Sequence, residues 1–190
     1  MVKSLTVLMS VYNGEEYLGI AIKSILEQTF TEFIFLIIDD ASTDKTSNIL
    51  EKFAQQDSRI KIITNEHNSG LAYSLNRGIE AATTTWIARM DADDIAIRDR
   101  LAKQMEYLEK YPETDILGGY ALDINDSGEI LGKRKVPTNH ENIIKFIWTN
   151  PLIHPTVLFR RSAILKIGSY YCKSRQRIPC INWLARLLAS

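Results

Sequence analysis

Thr85-Trp86-Ile87-Ala88-Arg89-Met90-Asp91-Ala92-Asp93-Asp94 is the stretch from which the fold of this chain is read. Its first six residues form an apolar run of the buried-strand kind, and three carboxylates follow directly behind it. In an extended backbone, side chains at i and i+2 point to the same side, so Asp91 and Asp93 face one target. The small Ala92 between them lets that target come close. Hard oxygen ligands at a strand end suit Mg²⁺ or Mn²⁺, which take one or two carboxylates and complete their shell with phosphate oxygens and water. A divalent cation also relieves the mutual repulsion of neighbouring acids. Taken alone, D-x-D reads more readily as a polar strand-to-loop junction, with Asp94 opening a turn.

The surrounding pattern chooses between these readings. Upstream, Leu5 to Val11 reads as a first strand and Phe33 to Ile38 as a second, ending in Asp39-Asp40. Ile60 to Thr64 is a third, and Thr85 to Met90 the fourth. Between them lie helical stretches. The first carries Tyr17, Ile20, Ala21, Ser24, Ile25 and Gln28 along one side, behind a capping-box pattern at Asn13-Gly14-Glu15-Glu16. The second starts near Ser42-Thr43-Asp44 and runs to Gln56; the third opens at Ser69-Gly70 and runs to Ala82. Strands alternating with helices of this length imply right-handed βαβ units and a mainly parallel sheet. Ligands of such sheets bind beyond the carboxyl ends of the strands. Tyr12-Asn13, Asp39-Asp40 and Asp91 to Asp94 all sit at those ends, so a common cleft is expected.

Downstream, Arg98 to Lys110 reads as a helix ended before Pro112. Asp115 to Ile124 and Glu129 to Val136 flank Asn125-Asp126-Ser127-Gly128, a hairpin signal. Asn142 to Trp148 reads as helical, Pro151 to Pro155 as an irregular loop and Thr156 to Phe159 as a short strand. Lys133-Arg134-Lys135 is expected as a solvated hairpin edge that discourages sheet pairing.

A chain of 190 residues with 45% hydrophobic and 24% charged content builds one globular domain. Its formal net charge of zero and dispersed basic residues exclude nucleic acid as the main partner. No apolar run approaches the roughly 18–20 residues that span a bilayer. The first residues show no signal-peptide layout, and the two cysteines, Cys172 and Cys180, make no disulfide framework. A cytoplasmic setting is expected, peripheral at the inner face of a membrane if the basic tail touches anionic lipid.

Four ordered segments carry a family resemblance. Ser10-Val11-Tyr12-Asn13-Gly14-Glu15-Glu16-Tyr17-Leu18 resembles the opening of the family-2 inverting glycosyltransferases, which have the GT-A nucleotide-sugar-binding fold. Ile37-Ile38-Asp39-Asp40-Ala41-Ser42-Thr43-Asp44 resembles their second signature, and Asn68-Ser69-Gly70-Leu71-Ala72 with Asn76-Arg77-Gly78-Ile79 the third. Arg89-Met90-Asp91-Ala92-Asp93-Asp94, with Arg100-Leu101 downstream, resembles the fourth in sequence and spacing. The resemblance implies an α/β, GT-A-type Rossmann-like domain over residues 1–170, its mainly parallel sheet flanked by helices, with a small β-hairpin on the acceptor side. It implies transfer of a sugar, with inversion, from a nucleotide-diphosphate sugar of the UDP type to the hydroxyl of a glycan or lipid-linked acceptor, in polysaccharide or glycan synthesis.

By the same resemblance, Val11 and Tyr12 line the base and ribose, and Asp40 accepts a hydrogen bond from the uracil N–H. Asp91 lies near the ribose and metal-bound water, and Asp93 coordinates Mn²⁺ or Mg²⁺ bridging the two phosphates. The residues themselves leave alternatives open. Tyr12 also suits a packing aromatic, Arg77 either a phosphate contact or an exposed helix arginine, and His154 either the border of an acceptor pocket or a structural role. Asp39 is expected to satisfy loop amides, and Glu15 and Glu16 to cap a helix. A phosphoacceptor receiver domain also places acids at strand ends, but it needs a lysine at the end of a later strand, where this chain has Arg160-Arg161.

The pattern breaks after Tyr170. An acidic general base is expected there, followed by a Trp-containing helix. The sequence instead reads Tyr171-Cys172-Lys173-Ser174-Arg175-Gln176-Arg177-Ile178-Pro179-Cys180-Ile181-Asn182-Trp183, with no Asp or Glu anywhere after Glu141. No catalytic base is therefore assigned, and Asn182 cannot act as one. Residues 171–190 read as an atypical basic tail, which implies a truncated or frame-disrupted enzyme. The alternative function is a nucleotide-sugar-binding remnant with little or no activity.

Overall fold

The structure, a computed structural model, describes residues 5–146, 149 and 151–170. Four parallel strands, β1 (Leu5–Val11), β2 (Phe33–Asp39), β3 (Ile60–Thr64) and β4 (Trp86–Asp91), form its centre. They alternate with α1 (Leu18–Leu26), α2 (Thr46–Gln56) and α3 (Leu71–Ala81), and α4 (Arg100–Lys110) follows β4. β1 and β2 are almost wholly buried, which is why they read as unbroken apolar runs. Alternation sorts their side chains into two layers. Val7, Met9, Phe35, Ile37, Ala88 and Met90 pack under α1, α2 and α4, while Leu8, Leu36, Ile38 and Ile87 face α3. Gly78 is needed for that second contact, because a Cβ there would overlap the Leu8 side chain.

The strand order is β3-β2-β1-β4, extended beyond β4 by β8 (Leu158–Arg160) and β5 (Ile116–Leu117). The chain thus steps outward from β1 to β3 and crosses back to β4 on the other side of β1. That reversal places the carboxyl ends of β1 and β4 side by side, the position where α/β sheets form a ligand crevice. β8 runs antiparallel to both β4 and β5, so the sheet is mainly rather than wholly parallel.

The hairpin is shorter than the sequence suggests. β6 (Ala121–Ile124) pairs with β7 (Ile130–Arg134), whereas Ile116–Leu117 leaves the hairpin and joins the main sheet. The break falls at Gly118-Gly119. A Cβ on Gly118 would lie 2.9 Å from Leu152, and the Gly119 N–H donates to Thr156 Oγ1 at 2.9 Å. The basic hairpin edge is exposed as expected, with Arg134 paired to Asp123 at 2.7 Å. α5 (His140–Lys145), a short 3-10 turn at His154–Thr156 and α6 (Arg161–Lys166) complete the described chain. No helix among the described residues is long and apolar enough to cross a membrane.

Candidate functional site

A cleft of about 330 Å³ opens at the carboxyl ends of β1 and β4. Val11, Tyr12, Asp91 and Asp93 all line it, together with Ala92 and Tyr17. Tyr12 is 47% exposed, so its ring stands at the rim and is not a core packing group. Asp40, Arg77 and His154 are not among the lining residues.

The cleft wall after β1 is held by bonds to the loop after β2. Asn13 takes a left-handed backbone, φ 51°, and its N–H donates to Ser42 Oγ at 3.0 Å. Asn13 Oδ1 in turn accepts from the Thr43 N–H at 2.8 Å. Gly14 N–H donates to Thr46 Oγ1 at 2.9 Å, and Lys45 N–H to the Glu15 carboxylate at 3.0 Å. This overturns the capping-box reading. Helix α1 begins only at Leu18, its N-cap Tyr17 makes no side-chain cap bond, and Glu15 serves the opposite loop instead. Asp39 does satisfy loop donors, accepting from Ser42 N–H at 3.0 Å and Ser47 Oγ at 2.8 Å.

The acidic turn gathers one oxygen from each of Asp91, Asp93 and Asp94 within 4.8 Å of one another. Asp93 is exposed and the other two are half-buried. Asp94 is held above the usual carboxylate range, first by burial and then by the charges of Asp91 and Asp93, against the opposing pull of Arg89 and Arg100. An oxygen-only set, crowded and partly open to the cleft, fits a hard divalent cation. The turn is anchored from behind. Gln28 joins the end of α1 to the following loop, donating to Ile97 O at 2.8 Å and accepting from Leu101 N–H at 3.0 Å. Arg100 donates to the carbonyl of Arg89 at 2.7 Å, and its own pKa is pushed down to about 10 by burial and then by the neighbouring charge of Arg89.

Arg89 was hidden in the sequence inside an apolar run. Its side chain is 1% exposed and forms an ion pair with Asp91, two residues along on the same side of β4. A cation in a buried strand, placed i+2 from an acid, was the signal available.

Asp40 is turned inward, 2% exposed. Its carboxylate accepts from the N–H of Ser69 at 3.0 Å, the N–H of Gly70 at 2.7 Å and Asn65 Nδ2 at 2.5 Å. Burial alone would raise its pKa, but donors from Ser69, Asn65, Gly70 and Ser74 outweigh it and hold Asp40 below the usual range. Gly70, with φ 87°, turns the chain into α3 at this point. Arg77 is not an exposed helix arginine: its Nη1 donates to Thr64 O at 2.8 Å and Asn65 Oδ1 at 2.5 Å. Asn65, which sequence reasoning passed over, therefore links Arg77 to Asp40.

His154 lies on the short turn before β8, with Nε2 2.9 Å from the Tyr170 hydroxyl. Burial, and then the charge of Arg89, push its pKa down to about 3, so the ring is neutral at physiological pH. Tyr170 is itself docked on α3, donating from its N–H to Asn76 Oδ1 at 2.8 Å and accepting from Asn76 Nδ2 at 2.8 Å. The basic tail with Cys172, Cys180 and Asn182 lies outside the described residues.

Residues 6–168 match the family model described as Glycosyl transferase family 2. The chain is 38% identical over 173 residues to the putative glycosyltransferase EpsE of Bacillus subtilis (strain 168), covering 90% of this chain and 62% of that protein. It is 33% identical over 168 residues to the O-antigen biosynthesis glycosyltransferase WbnJ of Escherichia coli, covering 87% of this chain and 65% of that protein. It thus spans less than two thirds of the length of either relative. Among solved structures, S. aureus TarS 1–349 in complex with UDP superposes with a TM-score of 0.76 at 22% identity, covering 94% of this chain and 53% of that one. That likeness carries the fold, a GT-A-type α/β domain. Four ordered motifs, this sheet topology and a family match over nearly the whole described chain agree: the chain belongs to glycosyl transferase family 2.

Proposed function

We propose that this chain binds a nucleotide-diphosphate sugar, of the UDP type, and transfers the sugar with inversion to an acceptor hydroxyl in glycan or polysaccharide synthesis. The observation that carries the reading is the single cleft in which the Tyr12 rim meets Asp91 and Asp93 at the switch between β1 and β4. Tyr12 offers an aromatic face for the base, and Val11 the apolar floor beneath it. Asp93, the exposed acid, holds a divalent cation, with Asp91 beside it; such a cation stabilises the charge that builds on a departing diphosphate. Asp40, buried and bonded by donors from Ser69, Asn65, Gly70 and Ser74, accepts a ligand N–H only where one of those donors gives way. Arg77 acts through Asn65 on Asp40 and not as a direct phosphate ligand. His154 borders the acceptor side as a neutral hydrogen-bonding group. Residues 1–170 make up the donor-binding domain, working at the cytoplasmic side with a glycan or lipid-linked acceptor. The similar TarS structure holds UDP, which supports the choice of nucleotide.

A second reading has its own observation: residues 142–190 contain no carboxylate to act as base. In that reading the domain binds donor without transferring it. Calorimetric titration of UDP with and without Mn²⁺, beside an assay of UDP release from UDP-sugars, separates the two. Metal-dependent binding with acceptor-dependent release supports transfer, and binding without release supports the remnant. No Mn²⁺-dependent UDP binding removes both.

A further inference from the structure

The buried arginine beneath the acidic turn is not explained by donor binding as described. Among the described residues, Arg89 Nε and Nη2 have no hydrogen-bond acceptor and its ion-pair partner is Asp91 alone. Its surroundings are otherwise unsuited to a cation. Leu8 is its register partner on β1, and Ile87 and Phe159 pack on the same side of the sheet. A buried charge is retained only where a strong counter-charge compensates it. Asp91 is paired with it, and its charge also acts on Asp94 and on the basic side chains of Arg100 and His154. His154 is neutral and adds no second positive charge beside Arg89.

We infer that Arg89 is a positioning residue that serves as the internal counter-cation of the metal-free site, pinning Asp91 and weakening the site for a bare divalent ion. The geometry separates the acids into two roles. Asp91 is claimed by Arg89, while exposed Asp93 has no ion-pair partner among the described residues and is free to ligate. A cation approaching without nucleotide meets a neighbouring positive charge and one carboxylate already engaged. A nucleotide diphosphate adds oxygen ligands and negative charge, which offsets the arginine. Metal and nucleotide therefore bind better together than apart, and Arg89 sets how strongly they depend on each other. This inference rests on the metal reading given above.

Mn²⁺ binding followed by electron paramagnetic resonance, on the full chain with and without UDP, tests it without an activity assay. Arg89→Met should bind bare Mn²⁺ tighter by about tenfold or more, since a unit charge a few ångströms away is removed, and should lose much of the gain that UDP gives. Arg89→Lys, which keeps the charge, should stay near wild type. Bare-metal affinity in Arg89→Met that is unchanged or weaker overturns the inference. Should that variant fail to fold, Arg89→Gln removes the charge and keeps a polar side chain in its place. It should likewise bind bare Mn²⁺ tighter than wild type by about tenfold. Unchanged or weaker bare-metal affinity in that variant overturns the inference instead. Failure of the wild type itself to bind Mn²⁺ in the presence of UDP overturns the metal reading and this inference with it.

Discussion

The side-chain amide of Asn65 donates to Asp40 Oδ1 at 2.5 Å, tying the carboxyl end of β3 to that of β2. Around this bond the amides of Ser69 and Gly70 converge on the same carboxylate, so one buried acid fixes where α3 begins. An acid with this many donors is first a structural element of the rim and only then a candidate ligand contact.

Asp40→Ala should accordingly destabilise the fold, not merely weaken nucleotide binding. Three donors lose an ionised acceptor, and a hydrogen bond to a charged group contributes about 1.5–3 kcal/mol. Urea unfolding should show a loss of at least about 2 kcal/mol. A variant as stable as wild type with weakened UDP binding would restore Asp40 to a purely ligand-facing role.

His154 makes stability depend on pH with a definite sign. Its folded pKa, about 3, lies below the unfolded value, so the unfolded chain takes up the proton first. The stabilisation is complete above about pH 6.5 and declines as pH falls from there toward the folded pKa. His154→Gln should flatten the decline in urea midpoint between neutral pH and about pH 4. Equal slopes in the two proteins would show that the ring is not held neutral.

Gly14→Ala should narrow the cleft. A Cβ at this position would lie 2.6 Å from Val11 Cγ2, closer than real contacts allow, while its N–H is held by Thr46. Overpacking of this kind costs about 1–3 kcal/mol and displaces the wall next to Tyr12. UDP affinity should fall along with melting temperature; unchanged affinity would place the nucleotide away from this wall.

Asp93→Ala should leave melting temperature nearly unchanged in the absence of metal, because the side chain is exposed and carries no ion pair among the described residues. It should abolish the part of UDP affinity that Mn²⁺ adds. Treating the wild type with EDTA should have the same effect. A calorimetric titration in which the variant keeps its Mn²⁺ dependence would remove Asp93 from the metal site.

Much of the architecture was legible because its signals are local. Continuous apolar runs give strands buried on both faces, helical periodicity gives α1 to α4, and their alternation gives parallel βαβ units. The i, i+2 spacing of Asp91 and Asp93 put both carboxylates at one strand end, and the structure has them in one cleft. Local signals also misled. Asn13 and Glu16 have the spacing of a capping box, yet Asn13 and Glu15 instead bond residues 42–45, about thirty positions away in the chain.

The chain by itself thus determined the family, the central strands and the acidic turn, since each is written in contiguous residues. Only the tertiary structure decided which carboxylates face the cleft. Asp40 was drawn inward by amides 29 and 30 residues further along the chain, and Arg89 was buried by the side chains packed around it. It also decided that β8 runs antiparallel beside β4. The physical reason is the same in each case. A buried polar group or strand edge must find its partner in space, and sequence distance says little about which group will be there.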